Sequence, residues 1–159
     1  VLGTAGAVGG IAGGLIAPKI SEKIGSGPSL WLSLAMGPIG AVIIGTSNSW
    51  QVVWVVLLFQ SFLSVLWNTI TVSLRQSIIP THLLGRVNSV YRFFGWGSIP
   101  IGMFLGGAIV TIAQYFISRE MALRTPYLVG ALLGVLIFIF AAPRLTTKAI
   151  NQARADGAK

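Results

Sequence analysis

Gln60, Ser64, Asn68 and Thr71 are the residues best placed to meet a ligand. They recur at intervals of 4, 4 and 3. At about 100° per residue in a helix, that spacing keeps them within about 80° of one another on one face. The surrounding stretch is mostly apolar, and polar groups in such a setting are costly unless they meet protein partners or a wet cavity. The stripe therefore either ties helices together or lines a water-filled path. Trp54 and Trp67 in the same stretch offer stacking surfaces or, near the ends of a span, interfacial anchors. Covalent and acid–base chemistry lacks its parts: His82 is the only histidine, cysteine is absent, and Glu22, Glu120 and Asp156 lie outside the apolar runs. No GxSxG, HExxH, Walker or dinucleotide-binding pattern occurs. No catalytic residue, metal ligand or cofactor is expected, and the chain is not expected to be an enzyme.

The elements that must hold the stripe follow from composition. Of 159 residues, 54% are hydrophobic and 9% charged, where a soluble domain carries about a quarter charged residues. The mean hydropathy is +0.83. The bilayer is the expected solvent, and the fold class is an all-α membrane helix bundle. A span needs about 20 largely apolar residues, and five uncharged or nearly uncharged runs approach that length: 1–17, 28–46, 50–74, 88–116 and 126–142. Residues 1–143 make up the bundle and 144–159 a basic cytoplasmic tail. Pro28 and Pro126 suit first helical positions, Thr125 suits an N-cap, and Pro143 suits a helix stop. Strands are not expected, because an open sheet edge is unsatisfied in lipid and no alternating pattern recurs to close a barrel.

Charge gives the orientation. The chain has 11 basic and 3 acidic residues, a net charge of +8. In a soluble protein this excess would suit nucleic acid, but beside apolar spans it marks the cytoplasmic side, and no nucleic-acid partner is expected. Lys19, Lys23, Arg75, Arg86, Arg92, Arg144, Lys148, Arg154 and Lys159 fall on one side, with only Arg119 and Arg124 on the other. Nine against two places the first loop, the third loop and the C-terminus in the cytoplasm of a cell (inner) membrane protein. There Arg75, Arg86 and Arg92 can meet lipid headgroups, helix C-termini or acidic groups of other segments. The chain opens inside an apolar run without an initiator Met or basic n-region, so 1–17 does not read as a signal peptide, and the chain reads as the C-terminal part of a longer protein.

Small residues supply the packing surfaces. Gly6 and Gly10, Gly9 and Gly13, and Gly10 and Gly14 are each four apart, a spacing that lets two helix backbones approach in lipid. Ordinary packing and a sliding contact between moving bundles both use such a surface. In the fourth span, Gly97, Pro100, Gly102, Gly106 and Gly107 combine a kink with a narrow helix.

Two segments resemble the major facilitator superfamily. In Gly13 to Gly27, Glu22, Lys23 and Gly25 stand where that superfamily's loop after the second and eighth helices carries an Asp-Arg pair and a turn glycine. Pro18 stands at the leading glycine, and Ser26 with Gly27 at the basic pair. The segment Leu74-Arg75-Gln76-Ser77-Ile78-Ile79-Pro80, followed by Leu84-Gly85-Arg86-Val87-Asn88-Ser89-Val90-Tyr91-Arg92 and Gly95 to Gly102, is similar to the loop and eleventh helix of bacterial exporters related to the enterobactin exporter. In that frame the spans correspond to helices eight to twelve of a twelve-helix transporter. The resemblance implies an N-terminal half as partner, a small amphipathic molecule as substrate, and export by alternating access. It also implies a pathway lined by Gln60, Ser64, Asn68 and Thr71, and a cytoplasmic gate and loop made by Glu22, Lys23, Gly25, Arg75, Gln76, Gly85, Arg86 and Asn88. Helix packing is assigned to Gly6, Gly10, Gly14, Pro100, Gly102 and Gly106. The alternative is a self-contained five-span structural or interaction protein associating through its glycine faces.

Overall fold

The computed structural model describes residues 2–157. Among them the chain is helical, in the order α1 (Leu2–Ile24), α2 (Ser26–Thr46), α3 (Trp50–Ile78), α4 (Thr81–Ala113), α5 (Arg119–Ala141) and α6 (Thr147–Gly157), with a 3-10 turn at Ala142–Arg144 before α6. Among the described residues, four helices are long and apolar enough to cross a membrane: α2, α3, α4, and α5 continued through Arg144. This fits a multi-pass membrane protein. α1, the expected first span, is 23 residues long and is not among these four. Its glycines contribute little hydropathy, and its last turns carry Lys19, Glu22 and Lys23.

Several helix ends differ from expectation. Residue 28 is not the first helical position: α2 begins at Ser26 after Gly25, so Pro28 sits in the first turn, where its missing N–H still has no intrahelical partner to lose. Gly25 has φ 90 and ψ 158, a conformation essentially reserved for glycine, and this single residue separates α1 from α2. Pro126 and Thr125 do not start α5. The N-cap is Ser118, whose hydroxyl accepts from the Met121 N–H, and Pro126 lies inside the helix. Thr125 Oγ1 instead donates to the Met121 carbonyl at 3.1 Å. Interior prolines are tolerated in apolar helices where side chains and neighbours satisfy the backbone groups they release. The expected loop between the third and fourth spans shrinks to Ile79 and Pro80, because the helices continue past the apolar runs until proline interrupts them.

The packing is uneven. α1 lies along α3, while α2 bridges α3 and α5. One buried cluster joins Ala17, Leu30, Leu63, Leu66, Ile70 and Ile150. Ile150 belongs to α6, so part of the basic C-terminal segment is a short helix docked on α2 and α3. α4 buries no residue. Phe104, Met103 and Phe140 are 76%, 74% and 68% exposed, and large apolar side chains stand outward on all five long helices. Water would oppose such a surface, whereas lipid solvates it.

α1 meets α3 through Ala5, Gly9, Gly13 and Ala17, all buried and each four residues apart. A methyl added at Gly13 would lie 2.9 Å from Val65 Cβ and 3.0 Å from the Phe62 carbonyl oxygen. At Gly9 it would overlap the Leu58 carbonyl oxygen. Of the three expected pairs, Gly9 and Gly13 make the close approach to α3. Gly6 and Gly14 have open space at the same test, and Gly10 has only Ser61 Oγ at 3.7 Å. One face of a helix advances four residues at a time, so stripes one residue apart diverge by about 100°. Gly102 and Gly106, with Pro100 on the same helix, likewise meet no described neighbour closely: nothing lies within 4 Å of either added methyl.

Candidate functional site

The polar stripe of α3 divides in two. Gln60 and Ser64, with Leu63 and Trp67, form one wall of a cleft whose other wall is Ser33, Leu34, Met36 and Gly37 of α2, enclosing about 320 Å³. Gly40 of α2 is buried one turn from Gly37, and a methyl there would overlap the Gln60 amide and come 3.0 Å from Val56 Cγ1. Glycine at 40 therefore lets α2 close on α3 where Gln60 projects. The Gln60 amide and the Ser64 hydroxyl make no hydrogen bond among the described residues, so they stand in the cleft with unused donor and acceptor capacity.

Asn68 and Thr71 do not line this cleft. Asn68 Nδ2 donates to the Ser64 carbonyl at 3.0 Å, and Thr71 Oγ1 donates to the Trp67 carbonyl at 2.8 Å. Both bonds stay within α3, so neither residue ties it to a neighbouring helix through them. The bonds that join α1 to α3 come from other side chains. Ser61 Oγ donates to the Gly6 carbonyl at 2.8 Å, and Trp54 Nε1 donates to Thr4 Oγ1 at 3.0 Å. Ser61 adjoins Gln60 in sequence and carried no signal of this role, because only the seating of α1 decides which hydroxyl finds a carbonyl.

A second cleft, of about 380 Å³, opens between the end of α1 and the last turns of α3. Ser21, Glu22 and Ser26 face Thr69, Ile70 and Ser73 across it. Thr69 and Ser73, four apart, repeat the helical spacing of the first stripe about 100° around α3, which is the signal that would have found them. Glu22 and Lys23 are both exposed and do not pair with each other; adjacent helical residues point apart.

Arg75 is held more firmly than a loop residue. Its Nε donates to the Thr71 carbonyl at 3.3 Å, its guanidinium lies 3.9 Å from the centre of the Tyr91 ring, and its buried Nη1 has no partner among the described residues. The stacking joins the end of α3 to the start of α4. Gln76, Gly85, Arg86 and Asn88 are exposed. Arg92 lies 5.7 Å from the Trp96 ring.

At the opposite end of the bundle, Arg124 is a side chain whose role sequence reasoning missed. It donates to the Thr46 carbonyl at 3.4 Å, to Asn48 Oδ1, and to Glu120 at 2.8 Å. A cation on the last carbonyls of α2 suits the negative end of that helix. The i,i+4 spacing of Glu120 and Arg124 was visible in the sequence; the reach to α2 was not.

No family model, no curated protein and no solved structure matches the chain.

Proposed function

We propose that the chain forms helices eight to twelve of a major facilitator exporter, with α1 as the eighth, moving a small amphipathic molecule by alternating access between its own bundle and an N-terminal half. The observation that carries this reading is the α2–α3 cleft, where Gln60 and Ser64 stand without side-chain partners among the described residues, beside Trp67 in largely apolar helices. Such a surface meets both halves of an amphipathic solute: the indole takes the apolar part, and the amide and hydroxyl take a polar group. The contact at Gly9 and Gly13 suits helices that shift against each other, since α1 projects no side chain into α3 at either position.

The test is efflux of amphipathic dyes of either charge from cells making the native protein. Gln60→Ala and Ser64→Ala should shift apparent affinity or substrate range while leaving the melting temperature in detergent unchanged. Loss of stability with unaltered transport kinetics would remove the cleft from the pathway. Orientation is tested with single cysteines at Ser26, Ser77 and Ala155, expected to resist an impermeant thiol reagent in intact cells, and at Asn48, expected to react. A second reading, a self-contained structural protein, is favoured by α4, which buries nothing and is free to associate. A tail antibody detecting a species near 16.8 kDa in cells, and none more than twice that mass, would establish it.

A further inference from the structure

The transport reading leaves unused a furrow along α5. Leu133, Leu136, Ile137 and Phe140 stand at i, i+3, i+4 and i+7 and so share one face of the helix. They are 54%, 45%, 56% and 68% exposed, and with Arg144 and Leu145 they border a furrow of about 590 Å³. No carboxylate among the described residues lines it. Arg144 stands at one end. Its Nη1 donates to the Phe140 carbonyl at 3.3 Å, which leaves the other guanidinium N–H groups able to meet an anion. Beyond Leu145 the surface changes character: a smaller cleft of about 170 Å³ is bordered by Trp31, Thr146 and Thr147. Lys148, exposed, follows at once.

From one end to the other the surface thus runs from aliphatic side chains to a guanidinium, then to an indole and hydroxyls. Phospholipids present the same order of groups, from acyl chain to phosphate to wet interface. The seven-residue rise from Leu133 to Phe140 is about 10 Å, roughly two thirds of the hydrocarbon depth of one leaflet.

We propose that this furrow holds one acyl chain of an anionic phospholipid whose phosphate is bound by Arg144, with Lys148 beside the headgroup. The proposal rests on α5 being a membrane span. A zwitterionic lipid would bring its ammonium next to Lys148 with no carboxylate in the furrow to receive it, so the site selects net negative headgroups. Arg144 serves better than a lysine, because its planar fork matches two phosphate oxygens at once.

The experiment uses the native protein purified in detergent and titrated with phosphatidylglycerol or with phosphatidylcholine of the same chains, read by native mass spectrometry and melting temperature. One phosphatidylglycerol should bind per chain, about fivefold or more tighter than phosphatidylcholine, and Arg144→Gln should reduce that preference to about twofold or less. Ile137→Trp, which fills the furrow, should weaken both lipids, while Arg119→Gln at the other end of α5 should change neither. Equal binding of the two lipids, an unchanged preference in Arg144→Gln, or equal stabilisation by glycerol 3-phosphate, which has no chain, would overturn the site. Those results would leave the membrane reading standing; a native protein that stays monodisperse without detergent would overturn that reading itself.

Discussion

Gly13→Ala and Gly14→Ala add the same methyl one residue apart on α1, and the structure assigns them opposite signs. At Gly13 the methyl meets Val65 Cβ at 2.9 Å and the Phe62 carbonyl oxygen at 3.0 Å. Neither is the end of a flexible chain, so α1 must move off α3. Overpacking of this kind costs about 1–3 kcal/mol, offset by the preference of a helix for Ala over Gly, about 1 kcal/mol. The net is a loss of up to about 2 kcal/mol. Gly9→Ala drives the methyl into the Leu58 carbonyl oxygen and lies at the upper end of that range. At Gly14, as at Gly6, nothing lies within 4 Å, so only the helix preference remains and stability stays level or rises by up to about 1 kcal/mol. Reversible unfolding of the four variants in mixed micelles should therefore rank Gly9→Ala lowest, then Gly13→Ala, then wild type, with Gly6→Ala and Gly14→Ala at or above it. If Gly14→Ala lost as much stability as Gly13→Ala, the assigned face of α1 would be wrong.

Asn68→Ala should cost less than the roughly 0.6 kcal/mol average of an interhelical hydrogen bond, because the Asn68 bond stays inside α3; a larger drop in melting temperature would mean that Asn68 reaches a second helix. Arg124→Gln removes the guanidinium from Thr46, Asn48 and Glu120 and should destabilise by about 1 kcal/mol. Glu120→Gln, at a side chain 77% exposed, should cost under about 0.5 kcal/mol, and equal losses from the two would show the ion pair alone to be the determinant. Ile150→Ala, at a residue 5% exposed in the buried cluster, should cost about 2 kcal/mol and speed tryptic cleavage after Lys148; unchanged cleavage would show that α6 does not depend on this contact.

Composition alone determined that the chain is a helical bundle with apolar spans. Polarity is a sum over residues, and a run such as 50–74 is apolar whatever it packs against. The polar stripe at Gln60, Ser64, Asn68 and Thr71 was likewise legible, because helical periodicity depends only on spacing. Helix ends were harder to read: charged residues such as Arg75 and Arg86 continue a helix as readily as they end a span, and Pro126 sits comfortably inside one. What only the tertiary structure decided is which neighbours meet. A methyl added at Gly9 or Gly13 would strike α3 while one at Gly6 or Gly14 would meet nothing within 4 Å, although all belong to equally spaced pairs. Gln60 and Ser64 open on a cleft while Asn68 and Thr71 turn back onto their own helix. Spacing along one helix defines faces but not the azimuth at which a partner docks. That angle is set by the summed contact of whole surfaces, including residues as distant in sequence as Ala17, Leu66 and Ile150.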